Sequence, residues 1–563
     1  MSLPKFLLKE AIVAPEGFNR WRVPPASIAI HLCIGSVYAW SNFSPALIRE
    51  LGVAGSAADD WSLTSVTWIF SVAIVFLGLA AAIAGKWLER VGPRCVGVTA
   101  AFLWGGGFLI GSLGVATHQI WLLYLGYGVL GGCGLGLGYV SPVSTLIKWF
   151  PDRRGMAAGM AIMGFGGGAI IAAPMEKWLL SVFAKAPESL GDVSTIKMIT
   201  EGGRRFADAG DGLREVVVSG QEAFAVGTGN TGVAMTFLTL GIAYFVVMNI
   251  ASFSYRVPAE GWSPAGWRPP TEQTASKKMI SRNHVHIDQA LKTPQFYLLW
   301  IVLCFNVTAG IGVLGVAKTM MNEIFGPTIT QARGGAGTNS LTTVVIWFAI
   351  NYVAMIGVFN MLGRFVWASA SDYLGRKNTF HCFFVLGTLL YSSIPFMAQA
   401  VSREPSVFWL TTFCVVTMVI FTMYGGGFAT IPAYLADIFG SRFVGGIHGR
   451  LLTAWSTAGV LGPLAITTLR AWSSDTAIQD LARSIDTEKF EKTFGAPLLQ
   501  LPELMQAKTV TIASLMKIAP PGTIDPTPGL YDTTMYMTAG LLVLAFFANS
   551  AIRPVDDRHH LRE

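Results

Sequence analysis

Long apolar stretches, separated by polar connections, make up most of the chain. The hydrocarbon core of a bilayer is about 30 Å thick and needs about 20 apolar residues to cross it as a helix. Twelve stretches reach that length, and none alternates polar with apolar residues as the strands of a membrane barrel do. The pattern therefore predicts an all-α membrane protein with twelve spanning helices. The predicted spans are residues 24–47, 63–85, 96–116, 120–148, 156–176, 233–255, 295–317, 342–368, 379–399, 407–434, 450–470 and 529–551.

The composition agrees with this prediction. Of 563 residues, 52% are hydrophobic and 13% are charged, whereas an average soluble protein has about 25% charged residues. So little charge excludes an ordinary soluble enzyme, a disordered chain and a small disulfide-rich secreted domain. The net charge of +7 does not indicate a nucleic-acid partner, because membrane proteins carry an excess of Lys and Arg on their cytoplasmic side.

Positive charge in the short loops sets the predicted orientation. Lys and Arg concentrate at 86–94, 152–154 and 376–377, whereas the loop at 117–119 has neither. The positive-inside rule then places both termini in the cytoplasm, and the expected location is a bacterial inner membrane. Two polar insertions are predicted to face outward, and Ile478–Phe494 can form amphipathic helices there. The predicted domains are an N-terminal six-helix bundle at 1–255 with the outer loop 177–232, a cytoplasmic linker at 256–294, a C-terminal six-helix bundle at 295–551 with the outer loop 471–528, and a cytoplasmic tail at 552–563.

The chain also repeats itself. After the second predicted span, Glu89 is followed three residues later by glycine and then by cations, and Asp372 after the eighth span is followed in the same way. A second repeat pairs Gly138–Pro142 with Gly427–Pro432. Repeats separated by six helices indicate two six-helix halves around a central site at the bilayer midplane.

Several motifs resemble a known family. The acid-x-x-Gly-basic loop in both halves is similar to the signature loop of the major facilitator superfamily, which implies its two-half fold. Four shorter stretches, Gly35–Ser41, Trp149–Gly159, Asn360–Arg364 and Tyr424–Gly427, resemble the oxalate/formate antiporter family and the related monocarboxylate transporters. This resemblance implies a small carboxylate as substrate and transport by alternating access.

Arg364 is the predicted centre of the substrate site. An ionisable side chain inside a span is a functional candidate, and a guanidinium binds a carboxylate with a bidentate fork. The resemblance implies that the arginine at this motif position holds the substrate carboxylate. Arg364 lies eight residues before Asp372, or about 12 Å along a helix. The alternative is an arginine that reaches the headgroups or braces the Asp372 loop.

The expected lack of a buried acid bears on the mode of transport. No Asp or Glu lies well inside a predicted span, and Asn360 stands where the proton-coupled monocarboxylate transporters have an aspartate. A buried cation needs a compensating charge, so the transported anion is expected to supply it, which favours anion exchange. Proton-linked symport stays open as the alternative. In that case His31 is a candidate proton carrier, although a lone histidine in a membrane is more often a hydrogen-bonded structural residue. Asn360 can equally be a residue that packs against a neighbouring helix.

Aromatic residues are expected to form the rest of the site. Trp455 stands at or near the position where the oxalate exchangers have a second cation, a lysine, which favours a monocarboxylate over a dicarboxylate. Tyrosine hydroxyls and indole N–H groups donate to carboxylate oxygens, although any of these rings can instead serve packing. The predicted substrate-binding residues are Arg364, Tyr38, Trp40, Tyr139, Tyr424, Trp455 and Asn360.

The two signature loops have a mechanical interpretation. Glu89 and Asp372 can accept hydrogen bonds from helix N-termini across the interface between the halves. We expect them to hold the outward-facing state as a charge latch, the alternative being a solvated turn that only fixes orientation. The predicted latch residues are Glu89, Arg90, Arg94, Asp372, Arg376 and Lys377.

Together these patterns predict a secondary transporter and not an enzyme. The spans hold no paired histidines, catalytic carboxylates or nucleophile elbow, and His284 and His286 lie in the linker. A non-transporting sensor is the remaining class. The expected partners are a small carboxylate and the lipid bilayer, with no nucleic acid, no metal and no cofactor, and the protein is expected to be a monomer.

Overall fold

Twelve helices are long and apolar enough to cross a membrane in a computed structural model of the chain, among the residues that it describes. The number of spans and their order along the chain match the sequence prediction. The structure describes residues 4–201, 204–208, 212–219, 221–268, 279–281, 283–334, 340–494, 497–506 and 510–561.

Six of these membrane-spanning helices form the first half. The 3₁₀-helix Ser36–Asn42 and the short helix Ser44–Leu47 follow the first of them, and residues Tyr124–Gly131 of the fourth form a π-helix. The helices are α1 (Pro24–Gly35), α2 (Leu63–Val91), α3 (Pro93–Ala116), α4 (Ile120–Trp149), α5 (Arg154–Phe183) and α6 (Val233–Ser254).

The second half repeats the arrangement. Its helices are α7 (Pro294–Gly334), α8 (Tyr352–Leu374), α9 (Arg376–Arg403), α10 (Val407–Phe439), α11 (Val444–Ser484) and α12 (Asp532–Ala551). Several bounds differ from the prediction. Helices α5, α9 and α11 extend beyond both of their predicted ends. Helix α7 continues past residue 317, and the predicted span 342–368 consists of the helix Ser340–Ile350 and α8, with Asn351 between them in a non-helical conformation.

Glycines of the signature loops end two helices at equivalent places. Gly92 follows α2 with φ of 88°, and Gly375 follows α8 with φ of 85°. This left-handed region suits glycine because it has no Cβ. The next helix therefore starts immediately, α3 at Pro93 and α9 at Arg376.

The two halves meet along two helix pairs. Helix α5 packs along α8, and α2 packs along α11. Small residues allow the close approach: a Cβ on Gly85 of α2 would lie 2.5 Å from the Cα of Gly446 on α11, and one on Gly155 would lie 2.1 Å from the Ala368 carbonyl oxygen. Such helix surfaces pack by close van der Waals contact.

The first insertion contains a β-sheet, which the sequence did not lead us to expect. Its five strands pair antiparallel in the order β1-β5-β4-β3-β2. The sheet lies against the segment after α1, where Gly227 N donates to the Leu51 carbonyl (2.9 Å) and Arg204 pairs with Asp59 (2.6 Å). The strands are β1 (Ser189–Asp192), β2 (Met198–Glu201), β3 (Arg204–Asp208), β4 (Leu213–Ser219) and β5 (Glu222–Ala225).

The second insertion is helical in its described part. Helix α11 continues as far as Ser484, so the stretch Ile478–Phe494 is helical, as predicted, over most of its length. The further short elements are the α-helices Thr487–Phe494, Leu501–Gln506 and Ile512–Met516, and the 3₁₀-helices Leu498–Gln500 and Thr527–Tyr531.

The chain ends and the central linker share one end of the bundle, which we call the linker face. Val13 bridges to Val257, and Val285 bridges to His560. We call the opposite end, which carries the two insertions, the insertion face. The short elements at the linker face are Lys5–Leu7, Lys9–Ile12, Arg20–Arg22, Ile287–Ala290 and Asp557–His559.

Candidate functional site

Arg364 of α8 is fully buried between the two halves. Its Nε donates to Oδ1 of Asn360 one turn earlier (3.2 Å), and its Nη1 donates to the carbonyl of Ile162 on α5 (3.3 Å). Its Nη2 has no hydrogen-bond partner among the residues that the structure describes. With 0% exposure and these partners, the side chain neither reaches the surface nor braces the Asp372 loop.

Two glycines leave room for this guanidinium. A Cβ on Gly166 of α5 would lie 2.9 Å from Arg364 Nε, and a Cβ on Gly425 of α10 would lie 2.2 Å from the carbonyl oxygen of Asn360. Any larger residue at these places would displace Arg364 or its neighbour. Helices α5 and α10 therefore approach α8 closely enough to enclose the cation.

Aromatic rings surround the guanidinium. Its central carbon lies 5.6 Å from the Phe165 ring and 5.3 Å from the Phe428 ring, within the range of cation–π attraction. Trp455 of α11 packs against both, at 4.6 Å from Phe428 and 5.4 Å from Phe165. Tyr139 of α4 follows at 5.3 Å from Trp455.

Two more tyrosines complete the group. Tyr38 lies 5.2 Å from Phe165, and Tyr424 lies 5.3 Å from Phe428. Tyr38 is within electrostatic reach of Arg364 and Tyr424. The structure thus brings six of the seven predicted residues together. Five buried polar atoms of this group have no hydrogen-bond partner within the described residues: the hydroxyls of Tyr38, Tyr139 and Tyr424, Nε1 of Trp455 and Nη2 of Arg364.

Trp40 was wrongly predicted to join this group. Its ring packs 4.4 Å from Tyr127 and 6.3 Å from Phe237, inside the first half. Residues two apart on a helix do not share a face. Because Tyr38 points to Arg364, Trp40 points away from it.

Asn306, beside Gly427, and His448, beside Tyr139, are buried polar residues that the sequence analysis missed. A Cβ on Gly427, in the repeated Gly427–Pro432 motif, would lie 2.2 Å from the unpaired Nδ2 of Asn306. The ring of His448 lies 5.8 Å from that of Tyr139. Asn306 is a polar residue inside a predicted span, which was the available signal. His448 was missed because α11 begins six residues before the predicted span.

The expectation of no buried acid within a span was wrong for Glu176. Helix α5 continues to Phe183, so Glu176 lies inside it with 0% exposure, accepting a hydrogen bond from Asn42 Nδ2 (2.9 Å). It stands fourteen residues beyond Ile162, about 21 Å along the helix, so it does not neutralise Arg364. Among the residues that the structure describes, no carboxylate pairs with Arg364.

At the linker face, the acids of the signature loops cross between the halves. Asp372 accepts hydrogen bonds from the main-chain amides of Gly155 (2.8 Å) and Met156 (3.0 Å), at the start of α5. Glu89 accepts one from Gly445 N (3.2 Å), at the start of α11. Each acid therefore caps a helix of the opposite half, where the helix dipole favours negative charge.

Cations connect these acids to further groups. Arg376 pairs with Asp372 (2.5 Å) and with Asp437 at the end of α10 (2.9 Å). Asp437 also receives Arg154 of the first half at 3.0 Å. Lys148 pairs with Glu89 at 2.5 Å. Asp437, Arg154 and Lys148 were not among the predicted residues, since the signature loop alone carries no sign of them.

Two of the predicted latch cations, Arg94 and Lys377, contact carbonyl groups within their own half instead. Arg94 donates to the carbonyl of Phe253 (2.9 Å) at the end of α6, and Lys377 donates to that of Ser550 (2.8 Å) at the end of α12. Cations stabilise helix C-termini, so each of these side chains caps the last helix of its own half. Arg90 is exposed near the end of α2. The latch prediction was therefore wrong for Arg94 and Lys377, and no latch contact involves Arg90 within the described residues.

The linker adds a further bridge between the halves. Asp288, in the short helix Ile287–Ala290, accepts from Lys86 of α2 (2.6 Å) and from Arg450 of α11 (2.9 Å). Hydrogen bonds from the Lys86 ammonium and the Arg450 guanidinium lower the pKa of the Asp288 carboxyl to about 2. At neutral pH the linker is thus tied to both halves through a charged carboxylate.

The chain is similar in sequence to a known family of membrane transporters. Residues 27–186 match the model of the Major Facilitator Superfamily. The oxalate:formate antiporter of Oxalobacter formigenes is 23% identical over 464 residues, covering 81% of this chain and 87% of that protein. Apicoplast pyruvate carrier 1 of Toxoplasma gondii is 22% identical over 484 residues, covering 75% of this chain and 78% of that protein.

Solved structures share the fold. The major facilitator transporter FucP in its outward conformation superposes over 94% of this chain and 99% of its own, with a TM-score of 0.53 and 11% sequence identity. The proton:xylose symporter XylE superposes over 95% of this chain and 96% of its own, with a TM-score of 0.53 and 12% identity. At such identities the likeness shows the fold alone.

Proposed function

We propose a substrate class and a transport mode for this chain, which is a membrane transporter of the major facilitator superfamily type and not an enzyme. The substrate is a small carboxylate that binds at Arg364 between the two halves. Transport proceeds by alternating access, and one anion is exchanged for another. The linker face is the cytoplasmic side of a bacterial inner membrane, and the transporter works as a monomer.

The observation that carries the proposal is a buried cation without an anion. Arg364 is fully buried, and among the described residues its Nη2 has no hydrogen-bond partner and no carboxylate neutralises it. A buried charge without a partner is strongly unfavourable. A carboxylate bound at Nη2 removes that cost and forms a charge-assisted hydrogen bond.

The neighbouring polar atoms favour an anion as well. Trp455 Nε1 can only donate, and the unpaired hydroxyls of Tyr38, Tyr139 and Tyr424 can each donate. A carboxylate accepts up to four hydrogen bonds, so it can satisfy several of these atoms together with Arg364. The Phe165 and Phe428 rings confine the rest of the substrate to an apolar space, which suits a small molecule.

The positive charge of Arg364 also favours exchange over one-way transport. When the site is empty, reorientation carries the uncompensated Arg364 cation through a closed, water-poor state. A bound carboxylate neutralises it, so the loaded protein passes that state more easily. Two relatives support the substrate class, since one is an oxalate:formate antiporter and another a pyruvate carrier.

Proton-linked symport is the second candidate mode. Its supporting observation is that two buried ring nitrogens, Nε2 of His31 and Nε2 of His448, have no hydrogen-bond partner in the part of the chain that the structure describes. Either ring can therefore take up a proton close to the substrate.

The test is counterflow in proteoliposomes loaded with unlabelled formate or pyruvate. We expect uptake of the labelled anion only when an anion is present inside. Arg364→Gln abolishes it, and Tyr139→Phe slows it. Tyr244→Phe serves as the matched control, because it removes another buried, unpartnered hydroxyl that packs near Trp104 and Phe108. Undiminished transport by Arg364→Gln would refute the site. Uptake that needs no internal anion and dissipates a pH gradient would refute exchange in favour of symport.

A further inference from the structure

Two buried histidines from opposite halves lie on either side of Tyr139. His31 of α1 lies 5.3 Å from the Tyr139 ring, and His448 of α11 lies 5.8 Å from it. The exposure of His31 is 0% and that of His448 is 1%. In both rings Nε2 has no hydrogen-bond partner within the described part of the chain.

The protonation state of His31 follows from its contact with the main chain. Nδ1 lies 3.2 Å from the carbonyl oxygen of Ser27. Because a carbonyl only accepts, Nδ1 carries the hydrogen, and Nε2 of the neutral ring presents a bare lone pair. The main-chain carbonyl of Tyr139 also lies close to the ring, so an acceptor is available for the protonated form. Nε2 of His31 is thus the atom at which this ring can accept a proton.

The residues that face His31 from the neighbouring helices are mostly uncharged. Helix α5 presents Gly164 and Phe165 to it, and α4 presents Tyr139. The charges within electrostatic reach are those of Arg364 and, when protonated, His448. On the α6 side, Tyr255 lies beside Ser27, one turn away. His31 therefore faces one fixed charge, the positive one on Arg364.

Near His448 the acids are already neutralised. They lie on α2, the linker helix and α10, all of which pack against α11. Each belongs to an ion pair at the linker face, so none is free to neutralise a charge at the centre. With their partners, these acids are Glu89 (Lys148), Asp288 (Lys86 and Arg450) and Asp437 (Arg154 and Arg376).

We propose that His31 and His448 form a second charge site, which takes up one proton from water when a dicarboxylate binds at Arg364. This inference rests on the proposed function. One carboxylate of a dianion is neutralised by Arg364, and the other would lie among aromatic rings without a partner, which is costly. A proton on Nε2 of either histidine gives that carboxylate a cationic partner, so that Arg364, the dianion and the proton sum to zero charge.

The proton is expected only with a dianion. In the empty site, a charged imidazole would be buried and repelled by Arg364. A monocarboxylate neutralises Arg364 alone and leaves no negative charge for the histidine. Binding of the dianion and of the proton therefore strengthen each other by the same factor. The site discriminates by pH between the two substrate classes.

The test is titration of the purified transporter with oxalate and, separately, with formate, in weakly buffered solution at several values from about pH 5.5 to about pH 7.5. Oxalate is a dianion throughout this range. We expect oxalate binding to take up about one proton, so that its affinity falls about tenfold for each unit of pH increase. Formate binding is expected to take up none and to have nearly constant affinity.

Variants of the two histidines show whether they, and not other groups, bind the proton that is taken up with oxalate. In His31→Gln and His448→Gln, proton uptake on oxalate binding is expected to fall, and in the double variant to vanish, whereas formate binding stays independent of pH. His31→Asn and His448→Asn provide a second replacement should either glutamine variant misfold. His381→Gln is the control, since His381 contacts Ser550 (3.0 Å) on α12.

The results distinguish a failure of this inference from a failure of the proposed function. If oxalate binds without proton uptake, or is not bound while formate is, the inference is wrong and the proposed function stands. If the uptake persists in the double variant, the proton resides on the ligand or elsewhere, and the inference is again wrong. If neither anion binds, the proposed function fails and the inference fails with it.

Discussion

Asp372 of the second half accepts a 2.8 Å hydrogen bond from the main-chain amide of Gly155, at the N-terminus of α5 in the first half. Glu89 makes the reciprocal contact with Gly445 at the start of α11. The two repeats of one loop thus close the linker face at two places related by the internal symmetry. For that face to open, both carboxylates must leave their helix N-termini.

We expect Asp372→Asn to shift the protein toward a state open at the linker face. Asparagine loses the charge that Arg376 pairs with, and its amide group has one oxygen acceptor in place of two. Hydrogen bonds to charged groups contribute about 1.5–3 kcal/mol each, so the expected shift in the open-to-closed ratio is about 10- to 100-fold. Distances between spin labels at Arg153→Cys and Tyr373→Cys, two exposed positions on opposite halves, measure the ratio.

Asp480→Asn is the control for this experiment. Asp480 is an exposed acid paired with Arg483 on the same helix, and exposed pairs contribute little. A label distance that is the same in Asp372→Asn and in the unmodified protein would show that the closed state does not depend on this contact.

Apolar length and loop motifs were sufficient to predict the fold. The twelve spans followed from stretches of about 20 apolar residues. The loop motif also indicated that Asp372 meets a helix N-terminus, because acid and N-terminus attract wherever they meet. The motif could not identify the partners of Arg94 and Lys377, since these depend on which helix ends nearby. In the structure, that is the last helix of each half.

The errors within the site and the insertion have local causes. Tyr38 and Trp40 belong to one sequence motif, but only Tyr38 faces Arg364. The 3₁₀-helix Ser36–Asn42 determines which of the two side chains does so, and the sequence did not predict this helix. The sheet of the first insertion has strands of four to seven residues, too short to give a clear alternation. Glu176 was missed because a polar residue near the end of an apolar stretch looks like the end of the helix.

The two tryptophans provide a direct test of the corrected site. Trp455→Phe removes an indole N–H beside the Arg364 cluster, and we expect the affinity for formate to fall about tenfold, as for one lost hydrogen bond to a charged group. Trp40→Phe removes an equally buried and unpartnered N–H from the interior of the first half, and the affinity is expected to change less than about twofold. Titration calorimetry with both variants measures the difference. Equal losses would place Trp40 back in the site.

The raised pKa of Glu50 predicts that the local stability of the insertion face depends on pH. Its carboxylate accepts a hydrogen bond from the Thr231 hydroxyl, and burial raises its pKa from 4.5 to about 7. In the unfolded segment Glu50 ionises more easily, so local stability falls as pH rises from about 4.5 to about 7 and is constant above. With allowance for its partial exposure, Glu50→Gln should stabilise this region by about 1–2 kcal/mol at about pH 8 and hardly at all at about pH 4.5.

Hydrogen exchange of residues 221–231 measures that difference. Glu222→Gln, a change at an exposed acid in β5, is the control and should be without effect at either pH. Stabilisation by Glu50→Gln that is the same at both pH values would contradict the assigned titration.

The close contact between Gly166 and Arg364 predicts that one added methyl group at Gly166 weakens anion binding. In Gly166→Ala, the new carbon would lie 2.9 Å from Nε and 3.1 Å from Cδ of Arg364, and 3.3 Å from the Cα of Met361. The guanidinium must move, while alanine favours the helix by about 1 kcal/mol. We therefore expect a folded protein whose affinity for formate falls about 10- to 100-fold, or about 1.4–2.8 kcal/mol. Gly106→Ala on α3 is the matched control, because no atom of a described neighbouring residue lies within 4 Å of its added methyl. It should bind formate as the unmodified protein does and be slightly more stable to heat. If Gly166→Ala kept full affinity, the position of the Arg364 guanidinium would not govern anion binding.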